Sequence, residues 1–179
     1  MKKAILGLLL SSFFVAGAAH AEDRSAVVDI HGVLSAPSEG NCSVLPSTTS
    51  IVLDDSIDKL PLQGSSAAHL KSTFTVTVGG DMTCIDKIES GRVGIKFTGT
   101  VDNANGTVLA NMATSEGAAK GVGVGLYNPD GSPLNITTYR PIINPTTPIG
   151  LGLQIVQLDG QTPEAGSIQS AMTIEVVRL

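Results

Sequence analysis

The sequence predicts an all-β protein built as one antiparallel sandwich. Three observations carry that expectation. Apolar residues recur with a period of two in almost every run, turn-forming residues separate the runs at intervals of roughly 8–15 residues, and helical periodicity is weak throughout. The 179 residues are 42% hydrophobic and 15% charged, enough for one domain with its own core and unlike a highly charged disordered chain. Trp is absent and aromatic residues make up 3%, which leaves little material for a ligand site built on ring stacking.

The first 21 residues are set aside from the fold. Lys2 and Lys3 form a positive n-region, residues 4–18 are apolar and uncharged, and Ala19-His20-Ala21 is an A-x-A cleavage signal. A membrane anchor is the competing reading, but the apolar stretch is short for a bilayer and small residues follow it. Cleavage places the start of the mature chain at Glu22 and leaves nine basic against 16 acidic residues, a formal charge of −7. No later segment is long and apolar enough for a spanning helix, so no direct membrane insertion is expected after cleavage. The acidic balance, without a basic run, excludes a phosphate-binding footprint, and no nucleic-acid partner is expected.

Export also decides the reading of the two cysteines left, Cys42 and Cys84. In an oxidising compartment an even pair reads as one disulfide, here closing a loop of 42 residue steps. The chain-entropy model gives a loop of that size about 4 kcal/mol. A metal site lacks an accompanying CxxC or His cluster, and a catalytic thiol lacks a recognisable Cys/His/Asn pattern.

The elements follow in order. Residues 27–34 form an apolar run, broken by Pro37, Ser38, Gly40 and Asn41. Residues 50–53 are a short β-branched run. Residues 73–78 alternate, with Phe74, Val76 and Val78 on one face and threonines on the other. Residues 92–101 alternate again, with Val93, Ile95 and Phe97 together. Residues 107–109 and 121–127 follow, then 149–158 with Leu151, Leu153 and Ile155 on one face, and last 171–179. Asn103-Ala104-Asn105-Gly106 and Asn128-Pro129-Asp130-Gly131 are turns, the second with the Pro and Gly placement of a type I turn. Asn144-Pro145 and Thr147-Pro148 mark an irregular connection. One helical turn fits residues 64–70. No repeat and no linker divides the chain.

Three local patterns invite a sharper reading and receive a plain one. Gly121-Val122-Gly123-Val124-Gly125 lacks the strand, helix and acidic residue of a dinucleotide loop and reads as a glycine-bearing strand. Asp81, Asp86 and Glu89 around Cys84 do not have EF-hand spacing and read as a solvated loop, as do Asp54, Asp55 and Asp58. His31 and His69 have no triad or zinc context, and His31 is expected to face solvent. The two N-x-T matches, at Asn105 and Asn135, are short enough to arise by chance. No catalytic residue, metal or cofactor is expected.

The run ahead of Cys42 is the most informative. Extended, it places Arg24, Ala26, Val28 and Ile30 on one face and Val27 and Asp29 on the other. Such an arm has two fates. It pairs inside its own domain, or it adds to a sheet edge of another molecule.

Here the residues resemble the pilin subunits of chaperone–usher fimbriae, the type 1-like fimbrial protein family. Ile30-His31-Gly32-Val33-Leu34 is similar to that family's first strand before the first cysteine, and Phe74-Thr75-Val76 through Cys84 to the strand leading to the second. Residues 121–127 followed by 128–134 resemble its Gly-Val-Gly-Val block, and Ala165-Gly166 with residues 171–176 its terminal strand. The resemblance implies an incomplete immunoglobulin-like antiparallel sandwich that lacks its last strand, carries one disulfide and is completed by a donor strand from another chain. It divides the chain into a signal peptide (1–21), a donor-strand extension (22–29) and a pilin domain (30–179). Arg24, Ala26, Val28 and Ile30 would donate, with Ala26 at the family's small arm position. Val33, Ala171, Thr173, Glu175 and Val177 would belong to the acceptor groove and terminal strand.

The implied partners are other fimbrial subunits, a periplasmic chaperone and an outer-membrane usher, and the implied destination is a fimbrium on the bacterial surface. Three departures leave the role open between major and minor, adaptor or terminating subunit. The arm ahead of Ile30 is short, Val177 stands where a penultimate Tyr is common, and residues 151–157 match the usual strand loosely. A tip adhesin would need room for a second domain. The alternative function is a secreted carbohydrate- or receptor-binding β-sandwich module. An enzyme is disfavoured, because no nucleophile–base pair, paired carboxylates or metal cluster supports it.

Overall fold

The computed structural model describes the backbone of residues 26–32 and the whole of residues 42–179. Its strands are β1 (Ala26–Gly32), β2 (Cys42–Pro46), β3 (Ser50–Leu53), β4 (Ser72–Gly80), β5 (Val93–Gly99), β6 (Leu109–Ala110), β7 (Val122–Tyr127), β8 (Pro133–Leu134), β9 (Ile149–Gln157) and β10 (Gln169–Arg178). They form two sheets, one in the order β3-β1-β10-β5, the other β2-β4-β9-β7-β6 with β8 on β7. Every ladder is antiparallel except β1 with β10, which is parallel.

The alternation read from the sequence sets the inner faces. Phe74, Val76 and Val78 on β4 are buried while Thr73 and Thr75 are exposed, and Val93, Ile95 and Phe97 on β5 point to the same core. Leu151, Leu153 and Ile155 from β9 and Met172 and Ile174 from β10 complete the interior between the sheets. Of residues 121–127, Val122–Tyr127 form strand β7 and Gly121 stands just outside it. A β-carbon on Gly123 would lie 2.7 Å from the Leu109 carbonyl of β6, so this strand needs glycine for close approach.

β9 departs from the one-sided pattern. Its second face, with Gly152, Gln154 and Val156, is buried as well. The cause is the segment between β3 and β4, which lies over the outside of the second sheet. Gln63 N donates to Gln157 O at 2.8 Å, Gln157 N to Pro61 O at 2.9 Å, and Ala67 N to Gly131 O at 2.9 Å. Ala67 and Leu70 thereby join Val108, Tyr127, Val156 and Leu158 in a second apolar cluster. No helical turn forms over residues 64–70; among the described residues the one 3-10 turn is Ile57–Lys59.

One helix, α1 (Met82–Glu89), stands where a solvated acidic loop is expected. The Asp81 carboxylate caps it, accepting from Cys84 N at 2.9 Å. Cys84 and Ile88, one turn apart, bury the inner stripe. Asp86 and Glu89 are therefore helix residues. Asp55 also departs from a solvated loop. Its side chain is 2% exposed, pairs with Lys71 Nζ at 3.4 Å and accepts from the Gln154 amide. The long connection 135–148 seals the flank of the sandwich, with Ile136 and Ile143 buried and Tyr139 stacked on Phe97 at 5.6 Å.

Candidate functional site

The feature that distinguishes this sandwich is the position of β1. Among the described residues, β3 and β10 do not pair with each other, and β1 lies between them and bridges them. On one side Ala26, Val27, Val28 and Asp29 pair antiparallel with Leu53, Val52, Ile51 and Ser50. On the other, Val27 to Gly32 run parallel to residues 169–174, with Val28 opposite Ser170, Ile30 opposite Met172 and His31 opposite Thr173. The chain then enters the other sheet at β2, so β1 shares no hairpin with either neighbour. Among the described residues, its backbone ladders to β3 and β10 hold it.

The walls of this slot are apolar on their inner side. Ile51 and Leu53 of β3 and Met172 and Ile174 of β10 are 5%, 0%, 0% and 0% exposed. Period-two alternation puts Ala171, Thr173, Glu175 and Val177 on the outer side of β10, all half-buried. The terminal-strand residues named from the sequence thus line the outer face, and Met172 and Ile174 supply the inner one. Lys96 of β5 and Glu175 of β10 form an ion pair of 2.7 Å on that outer face, where solvent keeps its contribution below about 1 kcal/mol. Ala26, Val28 and Ile30 all fall within β1, which crosses the expected boundary between residues 29 and 30. Arg24 and Val33 lie outside the described residues. Without β1, β3 would have no ladder partner and β10 would expose one backbone edge.

Cys42 and Cys84 form the disulfide, with Cα atoms 5.3 Å apart. It staples the first residue of β2 to α1, at the point where the chain arrives on the second sheet. Cys84 is fully buried. The root of the arm is therefore covalently fixed to the core, ten residues beyond the end of β1.

The rest of the surface offers little chemistry. Among the described residues, no group of three His, Cys, Asp or Glu is placed to hold a metal ion, and no helix is long and apolar enough to cross a membrane. A pocket of about 150 Å³ lies between Gly64 and the β7–β8 hairpin, lined chiefly by Val108, Leu126, Tyr127 and Leu134. Burial pushes the Tyr127 hydroxyl up to about 12, so at neutral pH it is a neutral group.

Asp102, in the turn between β5 and β6, is a heavily bonded carboxylate. It accepts from the backbone amides of Ala104, Asn105, Thr107 and Val108 and from the Gln63 amide at 3.0 Å. Burial alone would raise its pKa. The amides of Val108, Ala104 and Gly106, together with Gln63, outweigh burial and hold it below the ordinary carboxylate value. This is a structural nest. Its backbone partners are local, whereas the Gln63 contact to Asp102 and the Gln154 contacts to Asp55 and Lys71 join positions 39 to 99 apart and have no signal at fixed spacing.

No curated protein matches the chain. Among solved structures, the antigen and type I fimbria protein of Burkholderia pseudomallei is similar, with 18% identity and a TM-score of 0.45 over 86% of this chain and 92% of that one. The model of the fimbrial protein family matches residues 34–177. That span includes both cysteines and every strand from β2 to β9, with nearly all of β10. The chain belongs to the fimbrial protein family.

Proposed function

We propose that this fimbrial subunit is a structural subunit of a chaperone–usher fimbria, polymerising head to tail by exchange of the arm strand. The observation that carries the reading is the slot between β3 and β10, which a strand without a hairpin to either wall bridges. Two apolar walls and two backbone edges accept any extended segment of matching alternation. An arm rooted beside the Cys42–Cys84 disulfide reaches the corresponding slot of the next subunit. Since arm and slot are different surfaces, the contact is heterologous and propagates into a fibre. In the same reading a periplasmic chaperone lends a strand to the slot, an outer-membrane usher exchanges it for the next arm, and the fibre contributes to adhesion at the cell surface.

One observation favours a second reading. The slot is filled here by the chain's own Ala26–Gly32, as it would be in a self-completed monomer acting as a secreted binding module. The test is the mature chain, residues 22–179, with and without residues 22–28. The full chain should form heat-labile, denaturant-resistant multimers. The truncated chain should accept an added arm peptide yet form no multimers. Normal polymerisation of the truncated chain would refute arm donation. A stable monomer that neither multimerises nor takes up the peptide would favour the second reading.

A further inference from the structure

We propose that the pocket between Gly64 and the β7–β8 hairpin binds one small, neutral aromatic ring that carries a hydroxyl group, a simple phenol. The pocket belongs to the second sheet, whereas the slot lies in the first, so the inference does not depend on how subunits join. Its place follows from how β7 is bordered. On one side β9 pairs with the whole of β7. On the other, β6 pairs as far as Val124 and β8 begins opposite Leu126. Gly125 falls in the gap between these two short ladders. A β-carbon there would lie 2.8 Å from the Tyr127 ring, which therefore lies across the glycine. Val108, Leu126 and Leu134 close the apolar sides, and Gly64 adds a wall from the segment that covers this sheet.

Tyr127 supplies the polar handle. The residue is 1% exposed, yet among the described residues its hydroxyl has no hydrogen-bond partner. Every fully enclosed side-chain oxygen and nitrogen among those residues is partnered, so the hydroxyl oxygen is the part of Tyr127 that solvent still reaches. A hydroxyl held this deep without a partner costs free energy, and a ligand hydroxyl would recover it. Other polar groups of the lining are engaged. Thr107 Oγ1 accepts from Gln63 Nε2 at 2.8 Å, and Asn135 Oδ1 accepts from Thr137 N at 2.9 Å.

Size and lining set the class of ligand. At about 150 Å³ the pocket matches an apolar cavity that holds one benzene. Sites for drug-sized molecules start near about 300 Å³, so a sugar chain or a peptide is too large. No charged side chain is among the lining residues described, so an ionised ligand would lose its water without gaining a counter-charge. A flat ring can meet the Tyr127 ring offset or edge to face.

The test titrates the mature chain, residues 22–179, by calorimetry with three probes. Phenol carries the hydroxyl, toluene has the same size without it, and benzoate is charged. Phenol and toluene should each bind saturably at one per chain, phenol with a Kd on the order of 1 mM or tighter. Benzoate should bind roughly tenfold more weakly than phenol, or not at all. In Tyr127→Phe, phenol should lose roughly fivefold relative to toluene, because only phenol uses the hydroxyl. Leu134→Phe fills the pocket and should abolish binding of both rings; if that variant does not fold, Tyr127→Phe decides alone. Absence of saturable binding by phenol would show a pocket that holds water only and would overturn the proposal. An unchanged ratio of phenol to toluene affinity in Tyr127→Phe would overturn it too. So would benzoate binding as tightly as phenol, or undiminished binding by folded Leu134→Phe, which places the ring elsewhere.

Discussion

The Gln63 amide donates to the Asp102 carboxylate at 3.0 Å, tying the segment over the second sheet to the turn between β5 and β6. The same carboxylate organises that turn through four backbone amides. Replacing Asp102 by Ala strands these donors in a largely buried place and should cost about 3 kcal/mol, read as a lower midpoint in urea. The native carboxyl titrates below its unfolded counterpart, so its stabilisation is present above about pH 4 and is lost as pH falls through the native value. The acid limb of the stability curve should therefore flatten in Asp102→Asn. An unchanged limb would mean that this carboxylate is not the acid-sensitive group.

Tyr127 sets an opposite limb. Its hydroxyl is pushed up to about 12 by burial, while an unfolded Tyr titrates near 10. Stability from this group is complete below about pH 10 and falls as pH rises toward the native value, because only the unfolded chain loses the proton. The expected loss is roughly 2 kcal/mol by pH 12. Tyr127→Phe should shrink the alkaline decline seen in a denaturation series, and an identical decline would contradict the assignment.

Two glycines separate backbone conformation from packing. Gly64 and Gly131 both have positive φ, 78° and 83°. A β-carbon on Gly64 meets nothing within 4 Å, whereas on Gly131 it would collide with the Ala67 carbonyl. Gly64→Ala should cost about 1 kcal/mol, the left-handed penalty alone, and Gly131→Ala about 3 kcal/mol. Equal losses in thermal unfolding would show that the Ala67–Gly131 contact is not rigid.

Removal of the disulfide by replacing Cys42 and Cys84 with Ala should lower stability by about 4 kcal/mol, on the order of 10 °C in Tm. Because Cys84 is fully buried, part of the loss is packing. Cys84→Ser, with its unpaired hydroxyl, should be worse than Cys84→Ala, as scanning calorimetry of the two variants would reveal.

What could be read from the chain is what short periods encode. Alternation at residues 73–78 and 92–101 placed Phe74, Val76, Ile95 and Phe97 inward, and the turn at 128–131 closes as its residues imply, with Gly131 N donating to Asn128 O at 2.9 Å. The pairing of Cys42 with Cys84 followed from their number and the export segment. Helix α1 had a local signal, an Asp cap with apolar residues one turn apart, which eight residues and three acidic side chains near a cysteine obscured.

The tertiary structure alone decided the rest. Burial of the second face of β9 depends on a segment some 80 positions away folding over it, as Lys71 N bonded to Gln154 Oε1 illustrates. A period-two pattern fixes which side chains share a face but not which strand lies alongside, because the ladders between strands are made of backbone groups common to every residue. That is why Ala26, Val28 and Ile30 were legible as an apolar strand face, while their seat between Leu53 and Met172 was not.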